Sequence, residues 1–360
     1  MKKEKIRESI EGALQSDVDF PGNIGMLSIE TANSVIIENM KRKDPEPLWL
    51  SLWYEGEVCC LFADSNVGKS IYAVQMANEI AKKETVLYFD FELSKVQFKK
   101  RYTDNGKRCV FSDKFFRLEF TPENLDDTDF DEALMRDIER AYLQSKAKVL
   151  IIDNLSFLCN ESEKGEAAGT LMRNLTALKK KYDLSILVIA HTKKRLLSDP
   201  ITQNDLNGSK RLFNFFDSVF AIGKSVKGEN IRYVKQLKAR NTEIEYGADN
   251  VIISKIVKTN CFLHFENIGY GKESEHLKEY SREDIIREAK DLKSQGKTQR
   301  EIADIVGMSV GWVNKINKEH CSCSLFSHEQ SEQDEHLNKV NKVNRVNKIK
   351  TLNDIIRDHE

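Results

Sequence analysis

FADSNVGKSIYAV, residues 62–74, departs by one letter from the phosphate-binding pattern G-x-x-x-x-G-K-[ST]: Ala63 stands where the first glycine is usual. The flanks supply the context that the chemistry of such a loop requires. EVCCLFA (57–63) reads as a buried strand, DSNVGK (64–69) as a turn and SIYAVQMANEI (70–80) as a helix. A strand, a tight turn of backbone N–H groups and a helix start together make an anion cradle. Ala63, Asp64, Ser65, Asn66, Val67, Gly68, Lys69 and Ser70 are therefore the expected nucleotide-binding loop. Lys69 would neutralise the β- and γ-phosphates, and Ser70 would ligate Mg²⁺ through its hydroxyl. Gly68 lets the backbone approach the phosphates, where a β-carbon would intrude. Ala63 falls at the strand exit, where ordinary dihedrals tolerate a methyl group.

Three further apolar runs end in residues with chemistry. KVLIIDN (148–154) carries Asp153 at its tip, placed to hold the water shell of Mg²⁺. TVLYFDFELS (85–94) places Glu92 just past a strand, where a carboxylate can polarise the attacking water; Asp90, two residues earlier, is the competitor. SILVIAH (185–191) ends in His191, a candidate sensor of the γ-phosphate. In open α/β sheets ligands bind outside the carboxyl ends of the strands, and all these residues fall there. Apolar strands alternating with helical stretches such as GTLMRNLTALKKKY (169–182) predict a mainly parallel sheet covered on both faces.

FADSNVGKS, the glutamate of YFDFELS, the aspartate of VLIIDN, the histidine of VIAHTKK and a late strand, YVKQLKARN (233–241), together resemble the RecA/DnaB superfamily of P-loop ATPases. Within it the chain is most similar to the small RepA-type replicative helicases of plasmids and mobile elements, over about residues 46–270. The resemblance implies a RecA-like α/β domain, ATP and Mg²⁺ as ligands, a homohexameric ring and single-stranded DNA as a partner. It also implies roles for particular residues. Lys238 and Arg240 occupy the K-x-R positions that reach a neighbouring subunit's nucleotide, and arginine's rigid fork suits charge on a transferring phosphoryl group. DNA-contacting loops follow the histidine strand, so Lys193, Lys194, Arg195, Lys210 and Arg211 are candidates to face a central channel.

SREDIIREAKDLKSQGKTQREIADIVGMSVGWVNKINK (281–318) reads as a helix-turn-helix. Thr298 and Glu301 form a capping box, Ile302, Ile305 and Val306 an apolar face, Gly307 the turn and Ser309 the next cap. Val310, Val313 and Ile316 are expected to pack inward. That leaves Trp312, Asn314, Lys315 and Lys318 for a groove of duplex DNA. A three-helix protein-docking module is the alternative.

The expected organisation is an N-terminal helical segment (1–45), the ATPase domain (46–271), a linker (272–280), the helix-turn-helix (281–320) and a charged, repetitive tail (321–360). With 360 residues, 31% of them charged and a net charge of −1, any nucleic-acid site must be a local patch. There is no apolar run of membrane-spanning length and no apolar stretch after the N-terminal lysines, so the expectation is cytoplasmic and away from membranes. Seven cysteines without an export signal are expected to be reduced thiols. The spacing of His320, Cys321, Cys323 and His328 fits no common zinc pattern. Two readings compete with a helicase: an ATP-gated DNA-binding regulator, and a RecA-like remodeller of nucleoprotein that does not unwind strands.

Overall fold

The computed structural model describes residues 23–24, 27–120, 130–155, 166–193, 195–207, 210–279, 282–306 and 308–319. Two compact units divide at 279/280. The larger is built on a nine-stranded sheet: β1 (Val58–Ala63), β2 (Val86–Asp90), β3 (Phe115–Glu119), β4 (Val149–Asp153), β5 (Ser185–His191), β6 (Ser218–Lys224), β7 (Ile231–Lys238), β8 (Val251–Thr259) and β9 (Phe262–Gly271). Their order across the sheet is β9-β8-β7-β6-β1-β5-β4-β2-β3. The six strands from β6 to β3 run parallel, and β7, β8 and β9 extend the sheet antiparallel.

Strand β1 is apolar at every position because both of its faces are covered. Val58, Cys60 and Phe62 join one core and Cys59, Leu61 and Ala63 the other. Helices α1 (Ala32–Asn39), α2 (Lys69–Ile80), α3 (Lys95–Arg101), α4 (Phe130–Ser145), α5 (Glu166–Tyr182) and α6 (Lys210–Phe215) belong to this unit. Ala73, Val74, Met76 and Ala77 of α2 pack on one sheet face; Ile138 of α4 and Leu171, Met172 and Leu175 of α5 pack on the other. The result is a mixed α/β domain around a mostly parallel sheet, which fits the RecA-like architecture.

Two expectations change here. The stretch taken as a linker is partly core: Glu273 and His276 are buried, and Glu273 accepts from Lys235 Nζ and from the Ile201 N–H at 2.7 Å. The cysteines are not all free thiols either. Cys109 and Cys261 form a disulfide across 152 residues, because the β8–β9 turn lies against the segment that follows the 103–108 hairpin. Cys59 and Cys60 are free, and burial raises both thiols.

The second unit contains α7 (Arg282–Ser294), α8 (Gln299–Val306) and α9 (Val310–Glu319). Thr298 and Glu301 make the reciprocal capping bonds: the Glu301 N–H donates to Thr298 Oγ1 at 3.3 Å and the Thr298 N–H to Glu301 Oε2 at 2.8 Å. Ala289, Ile302, Ala303, Val306 and Val313 form its core. Two sequence expectations fail in α9. Trp312 packs against this core instead of standing out for a groove, and Val310 is the exposed one of the pair. Lys315 is exposed and Asn314 half-buried, whereas Gly307, the side chain of Lys318, the residues 320–328 cluster and the tail repeat lie outside the described residues. Among the described residues no helix is long and apolar enough to cross a membrane.

Candidate active site

The carboxyl ends of β1, β2, β4 and β5 bring Lys69, Ser70, Glu92, Asp153 and His191 together. Ala63 closes β1 in ordinary strand conformation, opposite His191 of β5 and Ile222 of β6, so its methyl needs no special backbone. The turn demands come later in the loop: Asn66 has φ 60° and Gly68 φ 112°, both in the left-handed region. At Gly68 a Cβ would also stand 2.9 Å from Phe265 Cζ, so the space around this residue is closed as well.

Lys69 opens α2 and is buried. Its ammonium donates to the carbonyls of Ala63 and Asp64, both at 3.0 Å, and lies 3.1 Å from His191 Nδ1. Burial lowers its pKa, while Glu92, Asp153 and Asp64 pull it back up. On the other side of the imidazole, Asn154 Nδ2 lies 3.2 Å from His191 Nε2 and donates to Glu92 Oε2 at 3.0 Å. Burial and the Lys69 cation both lower the His191 pKa, which keeps the ring neutral at physiological pH. Asn154 thus connects Glu92 to His191, a role its position one residue beyond Asp153 could have suggested.

The structure separates the two carboxylates of the β2 turn. Asp90 is spent on structure: Oδ1 accepts from the N–H groups of Glu92 and Leu93 at 3.2 and 2.8 Å, and Oδ2 from Arg117 Nε at 2.7 Å. The strand ends at Asp90 itself, and Glu92, two residues beyond it, is exposed. Among the described residues Glu92 accepts a hydrogen bond from Asn154 alone, though the Lys69 charge is close enough to feel it, whereas Asp90 is tied up by three donors; Glu92 is the carboxylate left to take a proton from water.

Asp153 is fully buried. Its Oδ2 accepts from Tyr88 Oη at 2.6 Å, and among the described residues its Oδ1 has no hydrogen-bond partner of good geometry, the Ser70 hydroxyl only lying near. An orphaned carboxylate oxygen beside the Ser70 hydroxyl is what a hard divalent cation would satisfy, so Ser70 and Asp153 fit Mg²⁺. Bound there, the ion would supply charge neutralisation for phosphate oxygens. Burial raises the Asp153 pKa to about 6, against the pull of the Ser70 and Tyr88 hydroxyls. Its usual value of 3.8 lies lower, so the folded protein takes up the proton first. Asp153 therefore favours folding most at low pH, and that contribution is lost as pH climbs to about 6. Asp153→Asn keeps an acceptor for Tyr88 and carries no charge. It should melt several degrees higher than the parent at about pH 7.5 in the absence of nucleotide, with the gain shrinking below about pH 5, and should lose Mg²⁺-dependent hydrolysis.

Among the described residues after His191, Thr192 and Arg195 turn into the protein and Lys193 is exposed. Thr192 donates from its N–H to the Ala63 carbonyl at 3.2 Å and from its hydroxyl to Asp64. Arg195, expected to face DNA, points inward: its side chain is only 3% exposed, its Nε lies 3.8 Å from Asp64 Oδ2, and it bonds the Asp199 carbonyl and Tyr233 Oη. The guanidinium is held chiefly by the Asp199 carbonyl and Tyr233 Oη, with the Asp64 carboxylate nearby. Lys193 is exposed; Lys194 and the side chains of Lys210 and Arg211 lie outside the described residues.

Lys238 and Arg240 stand at the opposite end of the parallel strands, by their amino ends. β7 runs antiparallel to β6, with Lys238 paired to Val219 near the start of β6. Lys238 Nζ donates to the Phe213 carbonyl at 3.2 Å and sits over that residue's ring. Arg240 pairs with Asp217 Oδ1 at 2.7 Å with its side chain 58% exposed. They are not part of the site formed by their own chain's phosphate loop.

A sequence model of the family described as AAA domain matches residues 30–195, the segment that carries the phosphate loop, Glu92, Asp153 and His191. The match indicates a P-loop ATPase of the RecA-like class. No curated protein matches the chain. The ATPase core is thus supported by both geometry and family likeness, and ATP with a divalent cation is the ligand set it implies.

Proposed function

We propose that this ATPase is a DNA-dependent motor that assembles as a homohexameric ring and acts as a helicase in the replication or mobilisation of a plasmid or mobile element. Lys69 and Ser70 hold Mg²⁺-ATP with Asp153, Glu92 takes the proton of the attacking water, and His191, through Asn154, senses the γ-phosphate. Lys193, Lys210 and Arg211 contact single-stranded DNA, and Asn314 and Lys315 contact duplex DNA. Arg195 and Trp312 are not carried into this proposal, because both are turned into their own units.

The observation that carries the ring is where Lys238 and Arg240 stand, at the amino ends of the parallel strands. Half-exposed and remote from their own phosphate loop, they can serve ATP only across an interface. The test is complementation. Arg240→Ala should bind ATP but hydrolyse it at least tenfold more slowly than the parent. Mixed with Lys69→Ala protein it should recover part of the activity, since one subunit supplies the loop and the other the arginine. An inert mixture of subunits shown to exchange, or an Arg240→Ala protein of parental activity, would leave Arg240 as the Asp217 ion pair alone.

One observation favours the second reading, an ATP-gated regulator or non-unwinding remodeller. The turn of Arg195 into the protein removes a basic residue from the expected channel face. Strand displacement on a forked duplex separates the two: a helicase releases the strand with ATP, and a regulator does not.

A further inference from the structure

The sequence reading treats β7 only as the carrier of Lys238 and Arg240. At its other end, Arg232 is buried beneath the phosphate loop. Its Nε donates to the Val67 carbonyl at 2.9 Å, and its Nη1 donates to the carbonyls of Glu229 and Ile231 at 2.7 and 2.8 Å. The guanidinium is thus fixed to its own strand start and reaches out with one N–H to the loop. A buried charge so placed is costly unless its donors are satisfied, and all three of these bonds end on backbone oxygens.

The oxygen it holds matters. Among the described residues the only cis peptide is Asp153–Asn154, so Val67–Gly68 is trans. In a planar trans peptide the C=O and the following N–H point in opposite directions. Fixing the Val67 carbonyl on Arg232 therefore fixes the Gly68 N–H on the opposite side of that peptide. Gly68 can rotate more freely than any other residue, and its φ of 112° is one an outside contact must select. The other antiparallel strands brace the same place. Ile256 of β8 and Phe265 of β9 close over Gly68, and the side-chain amide of Gln75 of α2 donates to the Phe265 carbonyl at 3.0 Å and accepts from the Phe265 N–H at 2.9 Å.

We propose that Arg232 is a positioning residue for phosphate binding: its Nε–H holds the Val67 carbonyl so that the Gly68 N–H is presented to the β-phosphate of the nucleotide. The inference rests on the phosphate-loop reading and assigns to β7 a part in the site that lies outside the residues matched by the family likeness.

The test measures ADP and AMP affinity by calorimetry for the full chain, Arg232→Gln and Arg232→Met, with a thermal melt of each. Glutamine places an N–H donor where arginine has Nε but removes the charge; methionine places a methyl group there. The parent should bind ADP far more tightly than AMP. Arg232→Met should lose about tenfold in ADP affinity, the worth of one well-placed hydrogen bond, with AMP affinity unmoved. Arg232→Gln should stay within about threefold of the parent for both ligands. A folded Arg232→Gln that loses ADP affinity would overturn the proposal, because the charge and not the donor would then matter; this arm decides even if Arg232→Met does not fold. Equal loss of ADP and AMP in Arg232→Met would overturn it as a general structural effect, as would no loss at all. A parent without preference for ADP would instead overturn the phosphate-loop reading beneath it.

Discussion

Glu92→Gln is expected to bind ATP as tightly as the parent and to hydrolyse it on the order of a hundredfold more slowly, or worse. Glutamine keeps the size of the side chain and can still meet Asn154, whose amide donates to Glu92 Oε2 at 3.0 Å. What it loses is the ability to take a proton. Single-turnover hydrolysis beside an equilibrium binding measurement checks this, because the two should part company. Asp90→Asn is the informative companion. It breaks the bond from Arg117 Nε at 2.7 Å and weakens the capping of the Glu92–Leu93 turn, so its main effect should be a lower melting temperature. A stable, ATP-binding Asp90→Asn protein that does not hydrolyse would move the base two residues back.

The second large effect is expected at Lys69. Lys69→Ala removes the cation that the β- and γ-phosphates require, and hydrolysis should fall below detection. The structure adds that Lys69 ties the loop together through the carbonyls of Ala63 and Asp64. Nucleotide affinity should therefore fall too, and the loop should lose order. Ala63→Gly is the contrast. The methyl is fully buried at the end of β1, so glycine there should cost about 1 kcal/mol of stability and change hydrolysis by no more than a few-fold. Steady-state ADP release from both variants separates a residue that does chemistry from one that only occupies the usual glycine position.

The strand tips were readable because buried parallel strands are apolar throughout, so the polar residue that ends each one stands out. VLIIDN and SILVIAH mark Asp153 and His191 in this way. Arg232 gave no such signal: in IRYVKQLK it looks like the polar half of an alternating strand, and only the fold shows Val67 above it. Arg195 misled for the opposite reason. A basic residue in the polar stretch KKRLLSD suggests solvent, but Tyr233 of β7, 38 positions on, and Asp64 in the phosphate loop lie beside it in the fold. The Cys109–Cys261 pairing is equally nonlocal. In α9 the fault was one of phase: a helix of 10 residues presents too little repeat to tell Trp312 from Val310 as the one that packs.

The measurement that bears most directly on the proposed DNA-dependent motor is ATP turnover by the full chain with Mg²⁺, at low salt, over a titration of single-stranded DNA. A motor that closes around DNA should turn over ATP several-fold faster as DNA is added, and rising salt should reverse the gain as phosphate contacts are screened. Turnover that is easily measured yet unmoved by DNA across the whole titration would contradict it.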